Sequence, residues 1–488
     1  MILFIIEKRF LFFVLFFFYY SCFFKKDQKK DVEIKSDILK EDFQILSRTL
    51  KEAHPGLYWY SDKPAMDHYL DSTYALMDHN MTSLEFFKML MPVIAKLRCV
   101  HTDLRLPKDI KNIDAQFYRL LPLNFHCRNG KLYISKDFNN SGHEGAEVLS
   151  INKTATRKIF KQLLNSLPAD GYNETFKYHL LSTGAFREGY ALYFGQPDTF
   201  VIEAIDTGKV KPVFFTVKAK SLQELSETKK KTTPQPIYLH FRNDLNTAVL
   251  TINTFEINTR IFNDTIANIF EKIKEHDSKH LIIDLRQNGG GNNDNVSALF
   301  SFVASASFLH LKRAEMNTPG FTYLQHFQNP RNFTNLKGIP EPNGKYLINY
   351  RYAGTSLKNP SNSNLFKGDV VLLTSGNTIS AASEFASIAH DTKRATIIGE
   401  ETGGCYYGAT GGNYIQLILP GSKLQVRIPT IRIWTAVKED YVHQPKGRGT
   451  IPDYEVVSGI NDILNNRDVQ LEMALTLITE KKKKAKQK

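Results

Sequence analysis

Residues 281–291, with the sequence LIIDLRQNGGG, contain the feature that decides the fold class. An apolar run over residues 280–285 predicts a buried β-strand, and three glycines follow it on the way to a helix predicted over 295–303. Glycines in this position let the backbone approach a ligand closely, and their N–H groups can converge on an anion or a developing oxyanion. A phosphate loop fits less well because the Gly-Lys-Ser/Thr ending is absent. We interpret the turn as a candidate ligand site, with a plain flexible turn as the alternative.

The surrounding sequence repeats this strand-to-helix pattern. Apolar strand-like runs alternate with helical patterns through the second half of the chain, which predicts an α/β domain with a largely parallel sheet. The predicted strands are 248–252, 280–285, 370–374 and 396–398, and the predicted helices are 261–273, 295–303 and 381–390.

A serine occupies the turn after the strand at 370–374. Residues 375–380, SGNTIS, lead into the helix that begins at Ala381. In an α/β sheet such a turn places the Ser380 hydroxyl in the crevice at a helix N-terminus. Taken alone, Ser380 is better explained as a residue that caps this helix.

Together the two turns resemble the C-terminal processing (tail-specific) and tricorn-core serine peptidases. The resemblance covers residues 37–475 and includes a weaker, PDZ-type element at 145–152. It implies a crotonase-like (ClpP/crotonase) α/β catalytic domain, preceded by a helical N-terminal segment and a PDZ-like domain, with Ser380 as nucleophile. The segments that carry it are DLRQNGGG at 284–291, TISAA at 378–382, GEETGG at 399–404 and GRGTIPD at 447–453.

The base that activates the serine points to the tricorn-like branch. The tail-specific branch uses a lysine downstream of the serine, but no lysine lies between Arg394 and Lys423. The segment KLRCVHT at 96–102 resembles the G-H-T element of the tricorn-like branch, which implies that His101 is the base. An unperturbed histidine titrates near pH 6.5. We therefore expect kcat/KM to fall at about pH 6–7, as His101 becomes protonated. By the same resemblance the oxyanion hole consists of the N–H of Gly289 or Gly290 with that of Ala381.

The sequence departs from that branch where the histidine should be oriented. Val100 replaces a serine, and Lys446 lies where a late glutamate is expected. Glu439, Asp440 or a backbone carbonyl remain as alternatives for the orienting group. The family usually has a glutamate three residues after the serine. Here Ser383 stands at that position, and Glu384 follows it.

The leading prediction is a serine endopeptidase acting on unstructured protein segments, and the alternative is a catalytically degenerate peptide-binding module. A lyase or hydratase of the same fold is disfavoured because coenzyme-A-binding features are not found.

The charge distribution argues against binding of nucleic acid, and the amino terminus predicts export. Of the net charge of +13, nine charges lie in residues 1–35 and 481–488, so the body has no basic field suited to nucleic acid. Lys8 and Arg9 precede an apolar run over residues 10–20 and then Ser21 and Cys22, as in a secretory signal. The expected product is an exported protein of a bacterial periplasm or cell envelope. We expect lipidation at Cys22, with a plain cleaved signal or an uncleaved anchor as alternatives.

No metal site and no cofactor are expected, because the His and Cys residues lack ligand spacing, and Cys99, Cys127 and Cys405 are expected to be free buried thiols. Polypeptides are the expected partners, and the sequence leaves the oligomeric state open.

The chain is predicted to have six parts. They are a signal segment (1–22), a linker (23–36), a helical N-terminal domain (37–110), a PDZ-like domain (115–220), an α/β serine-peptidase domain (237–478) and a basic tail (479–488).

Overall fold

The computed structural model describes residues 32–107, 119–227, 235–334 and 336–486. The predicted signal segment with Cys22, most of the linker and the last two residues of the basic tail lie outside this range. None of the described helices combines the length and the hydropathy that crossing a membrane requires.

Three helices and one short strand form the N-terminal part. The heptad-like spacing of Phe43, Leu46 and Leu50 gives the first helix an apolar face, and these residues are fully or almost fully buried. The third helix begins with a capping box between Thr82 and Glu85. The elements are α1 (Ser36–Ala53), α2 (Lys63–Ala75), α3 (Ser83–Lys96) and β1 (Asp103–Arg105).

The second part is built on an antiparallel sheet with its own core. Its strands follow the order β2-β3-β4-β6-β7, with β5 paired to β4, and its helices pack on one another and on the sheet. The elements are β2 (Leu123–Arg128), β3 (Lys131–Asp137), β4 (Glu147–Ile151), β5 (Thr154–Ala155), α4 (Thr156–Ser166), α5 (Thr175–Leu180), α6 (Phe186–Phe194), β6 (Thr199–Ile205), β7 (Val213–Lys218) and α7 (Leu222–Glu227).

The third part contains the parallel sheet that the sequence predicts. Strands β18, β15, β14, β10 and β9 run parallel in that order, and β8 closes the edge antiparallel to β9. A mixed α/β fold is thereby confirmed. The elements are β8 (Ile237–Arg242), β9 (Thr247–Ile252), α8 (Thr259–Glu275), β10 (His280–Asp284), α9 (Asn293–Ser301), β11 (Leu311–Met316), β12 (Ile339–Pro340), β13 (Tyr346–Leu347), β14 (Asp369–Thr374), α10 (Ala381–Asp391), β15 (Ala395–Gly399), β16 (Thr410–Ile418), β17 (Gln425–Thr435), β18 (Tyr454–Glu455), α11 (Ile460–Leu464) and α12 (Val469–Lys486).

A long hairpin joins the first part to the third. Strands β16 and β17 pair antiparallel, and β17 also pairs with β1 and β11. Their apolar residues Ile415, Leu417, Val426 and Ile428 belong to the same hydrophobic core as α1, α2 and α3. The N-terminal helices therefore share a core with the hairpin, which brings the loop after α3 to the edge of the parallel sheet.

Candidate active site

Ser380 lies in the turn between β14 and α10, at the carboxyl edge of the parallel sheet. Its backbone has φ 54° and ψ −132°, a conformation that costs a residue with a side chain about 1–3 kcal/mol. The Ser380 carbonyl accepts hydrogen bonds from Ser383 Oγ at 2.7 Å and from the Glu384 N–H at 3.1 Å. These contacts hold a strained strand-to-helix turn of the kind that exposes a nucleophile.

The glycine-rich turn after β10 lies directly against Ser380. A Cβ at Gly290, where φ is +98°, would come within 2.7 Å of Ser380 Cβ and 3.1 Å of Ala381 N. The Asn288 carbonyl also accepts a hydrogen bond from the Ile379 N–H at 3.3 Å. Only glycine permits so close an approach at this φ. The Gly290 N–H donates to Asn288 Oδ1 at 2.8 Å, so a substrate oxygen would compete with Asn288 for that amide.

His101 reaches Ser380 from a distant part of the chain. Its Nε2 lies 3.2 Å from Ser380 Oγ, although 279 residues separate the two. The His101 side chain is buried and stacks on Tyr414, with 6.2 Å between ring centroids. Arg427 Cζ lies 3.7 Å from the centre of the same Tyr414 ring. Both residues belong to the β16–β17 hairpin, which therefore positions the histidine.

The surroundings of His101 keep its imidazole neutral. The pKa of His101 is lowered to about 3, mainly by burial and also by nearby Arg427 and His54, while a hydrogen bond with the Thr410 backbone acts in the opposite direction. The expectation that His101 titrates near pH 6.5 is therefore wrong, because it ignores desolvation. A neutral imidazole is the form that can accept the proton of Ser380.

The other candidate histidines have different partners. His54 Nδ1 accepts the Gly56 N–H at 3.1 Å, so its Nε2–H donates to Thr102 Oγ1 at 2.9 Å. His126 lies on β2, and His390 Nδ1 lies 3.2 Å from a tyrosine hydroxyl. Among the described residues, His101 is the histidine in contact with the nucleophile.

The group that orients His101 is not one of the two acids named from the sequence. Glu439 and Asp440 are exposed, and Asp440 pairs with His443 at 2.9 Å. Lys446 is also exposed. The backbone of Thr410 is hydrogen-bonded to His101, which agrees with the third alternative, a backbone carbonyl.

The carboxylate on the nucleophile helix is directed elsewhere. Glu384 Oε2 lies 2.9 Å from His310 Nε2, and both side chains are almost completely buried. Ser297 Oγ lies 3.3 Å from the other nitrogen of His310. Glu384 therefore belongs to a buried polar network of α9, α10 and the segment before β11, not to the Ser380–His101 pair.

Asp170 is a site residue that sequence reasoning missed. It is 3% exposed, and its Oδ1 accepts the Val100 N–H at 2.8 Å. Cys99, His101 and Asp170 together offer ligand atoms that lie within 4.8 Å of one another. In the sequence Asp170 shows only the Asp-Gly pattern of a turn, so nothing marks it as a neighbour of His101.

This cluster adjoins the serine–histidine pair, and its side chains have partners within the protein. Cys99 Sγ lies 2.8 Å from Thr410 Oγ1, and His101 Nε2 is in contact with Ser380 Oγ. A metal ion there would compete with Thr410, which is in contact with both Cys99 and His101. Cys99, Cys127 and Cys405 are buried and free, as expected, and burial raises the pKa of the Cys99 thiol to about 11.

Residues 246–456 match the sequence model of peptidase family S41. The matched range contains Ser380 and both glycine-rich segments, whereas His101 lies before it. No curated protein sequence matches the chain.

Among solved structures the chain is similar to mature CPAF complexed with lactacystin. That structure is 13% identical, with a TM-score of 0.62, over 91% of this chain and 99% of the other. A further structure of mature CPAF has a TM-score of 0.58 at 13% identity, over 88% of this chain and 94% of the other. At this identity the likeness shows the fold, which extends over nearly the whole chain, including the parts before residue 246.

Proposed function

We propose that this chain, a serine-type peptidase with its family S41 domain at residues 246–456, hydrolyses peptide bonds in unstructured protein segments with Ser380 as nucleophile and His101 as base. One observation carries the proposal: Ser380 Oγ and His101 Nε2 lie 3.2 Å apart. A serine hydroxyl becomes an effective nucleophile only when a neighbouring base removes its proton. We also propose that the α/β domain is crotonase-like and that residues 115–220 form a PDZ-like, peptide-binding domain.

The proposed reaction uses these two side chains twice. His101 Nε2 accepts the Ser380 proton while Oγ forms a bond to the substrate carbonyl carbon, and the carbonyl oxygen becomes an oxyanion. The carbon–nitrogen bond then breaks, and the leaving amine takes the proton from His101. Water repeats the sequence on the acyl-enzyme and restores the Ser380 hydroxyl.

The oxyanion in this proposal is bound by backbone N–H groups at the junction of the two turns. The Ala381 N–H at the first residue of α10 is one donor, and the N–H of Gly289 or Gly290 is the other. Gly290 reaches that role only by exchanging its bond to Asn288 Oδ1 for one to the substrate. Each such donor stabilises the transition state by about 2.7–4 kcal/mol.

A fluorophosphonate probe tests the nucleophile directly. We expect stable labelling of the full chain and none of Ser380→Ala. Ser387→Ala is the matched control, because Ser387 is a buried serine on the same helix whose hydroxyl bonds the Ser383 carbonyl at 2.8 Å; it should still be labelled. A wild-type protein that binds unstructured polypeptide but is neither labelled nor able to cleave it is the degenerate peptide-binding module, and this result would reject the enzyme.

Export with lipidation at Cys22 is proposed on the sequence of residues 1–35 alone. Mass spectrometry of the protein from its native cell envelope provides the test. We expect a mature chain that begins at a lipid-modified Cys22. An intact Met1 contradicts cleavage, and an unmodified mature terminus contradicts the lipid anchor.

A further inference from the structure

The buried carboxylate of Asp170 has no role in the mechanism so far. It lies in the turn between α4 and α5, in the second part of the chain, yet one of its carboxylate oxygens lies within 4.8 Å of a His101 ring nitrogen. Its Oδ1 accepts the Val100 N–H, and Val100 directly precedes His101. Its Oδ2 is fully buried and has no hydrogen-bond partner among the described residues. A buried carboxylate oxygen without a donor is costly and calls for an explanation.

The turn at residues 170–172 (the Asp170 turn) is hydrogen-bonded to the loop at residues 97–102 that carries His101 (the histidine loop). The Gly171 N–H donates to the Arg98 carbonyl at 3.0 Å, and the Arg98 guanidinium donates to the Gly171 carbonyl at 3.2 Å. On its other side the Tyr172 N–H donates to the Gly447 carbonyl at 2.7 Å. Arg98 itself has a left-handed backbone, with φ 53°. These hydrogen bonds between Arg98 and Gly171 stabilise the conformation of the histidine loop.

We infer that Asp170 is the positioning residue that replaces the missing acid of the Ser380–His101 pair: it holds the histidine loop and supplies the negative charge that stabilises the imidazolium. The inference deepens the proposed function and depends on it. The required separation is present, because the carboxylate oxygen lies within 4.8 Å of a His101 ring nitrogen. At that distance in a desolvated site, a charge acts strongly on a cation that forms only in the transition state.

The titration of Asp170 supports this assignment and makes it testable. Burial raises the pKa of Asp170 to about 7, and nearby Glu384 contributes, while the nearby backbone N–H groups of Val100 and Cys405 act in the opposite direction. The carboxylate is then charged above about pH 7 and neutral below it. Imidazolium stabilisation should therefore be present above about pH 7 and lost as pH falls through it. The titratable and charged groups around the carboxyl group are Arg98, Cys99, His101, Tyr60, Glu384, Glu401, Cys405 and Tyr414.

The experiment compares the pH profiles of wild type and Asp170→Asn, for both peptide hydrolysis and the rate of fluorophosphonate labelling. Asparagine keeps the shape and an oxygen that can accept the Val100 N–H, but it removes the charge. We expect kcat at pH 8 to fall about 10- to 100-fold with little change in KM. The acid limb of the pH profile, near pH 7 in the wild type, should also shift down by more than two pH units, toward the low pKa of His101.

Asp42→Asn is the matched control. Asp42 is fully buried and accepts the N–H groups of Gly421 and Ser422 at 2.8 and 2.6 Å, far from Ser380 in the α1 core. It should lower thermal stability without moving the acid limb. If Asp170→Asn lowers only the amount of folded protein and keeps the wild-type pH profile, Asp170 is structural and the inference is wrong. Wild-type protein that is neither labelled nor active rejects the proposed function instead, so the two failures are distinguishable.

Discussion

Replacing Gly290 with alanine should inactivate the enzyme while leaving it folded. The added Cβ would lie 2.7 Å from Ser380 Cβ, and an ordinary contact requires at least 3.4 Å. The nucleophile must therefore move by about 0.7 Å, and misplacement on the order of 1 Å at a reacting centre costs about 10²-fold in rate. The left-handed backbone, with φ +98°, adds a loss of stability of about 1–2 kcal/mol.

Gly195→Ala separates the two effects. Gly195 has φ +95° and nothing within 4 Å of the position of a Cβ. With ψ 178° its backbone is in a region almost confined to glycine, so the variant should lose about 1–3 kcal/mol of stability in urea unfolding and keep its full kcat. The assay is hydrolysis of an unstructured fluorogenic peptide, corrected for folded protein, together with the rate of fluorophosphonate labelling. Normal kcat in Gly290→Ala would refute the contact between the glycine turn and the nucleophile on which the site rests.

Four further outcomes follow from the same geometry. His101→Ala should lower kcat by at least about 10³-fold, and adding it to Ser380→Ala should cause no further loss, because members of one catalytic unit are not additive; normal turnover would disprove the base. Lys423→Ala should be fully active, since the exposed Lys423 side chain donates to the Pro420 carbonyl within its own turn; inactivation would favour a lysine base. Iodoacetamide at pH 8 should leave activity intact, because Cys99 is buried and its thiol pKa is raised to about 11; rapid inactivation would point to a cysteine in the chemistry. Activity should survive EDTA, and a loss that zinc restores would contradict a metal-free mechanism.

Local sequence was sufficient for the two turns that form half of the site. A strand ending in three glycines and a strand ending in SGNTIS each require the backbone to turn sharply, and both sit where α/β ligand sites lie. Because parallel neighbours align their carboxyl ends, Gly290 and Ser380 had to meet once β10 and β14 were adjacent. The sheet confirms the mixed α/β fold, and the match of residues 246–456 to peptidase family S41 confirms the prediction of a serine-type peptidase.

The histidine was named from a short resemblance, but its electrostatics could not be obtained from sequence. The predicted pKa used the value of a solvated imidazole. In the folded chain the β16–β17 hairpin covers His101 and places Arg427 near it, which lowers the pKa to about 3. Desolvation depends on the atoms that surround a group, and those atoms come from segments more than 300 residues away.

What the sequence determined by itself is the part written in contiguous residues: strand and helix periodicity, the glycines that permit a close backbone approach, and the serine at a helix start. What only the tertiary structure decided is which charged groups lie near His101. The search for an acid along the chain stopped at Glu439 and Asp440, which are exposed, whereas Asp170 lies in a different part of the fold and contacts the histidine loop through one backbone N–H. A charge acts through distance and dielectric and not through sequence order, so the partner of a buried imidazole becomes visible only when the chain is folded.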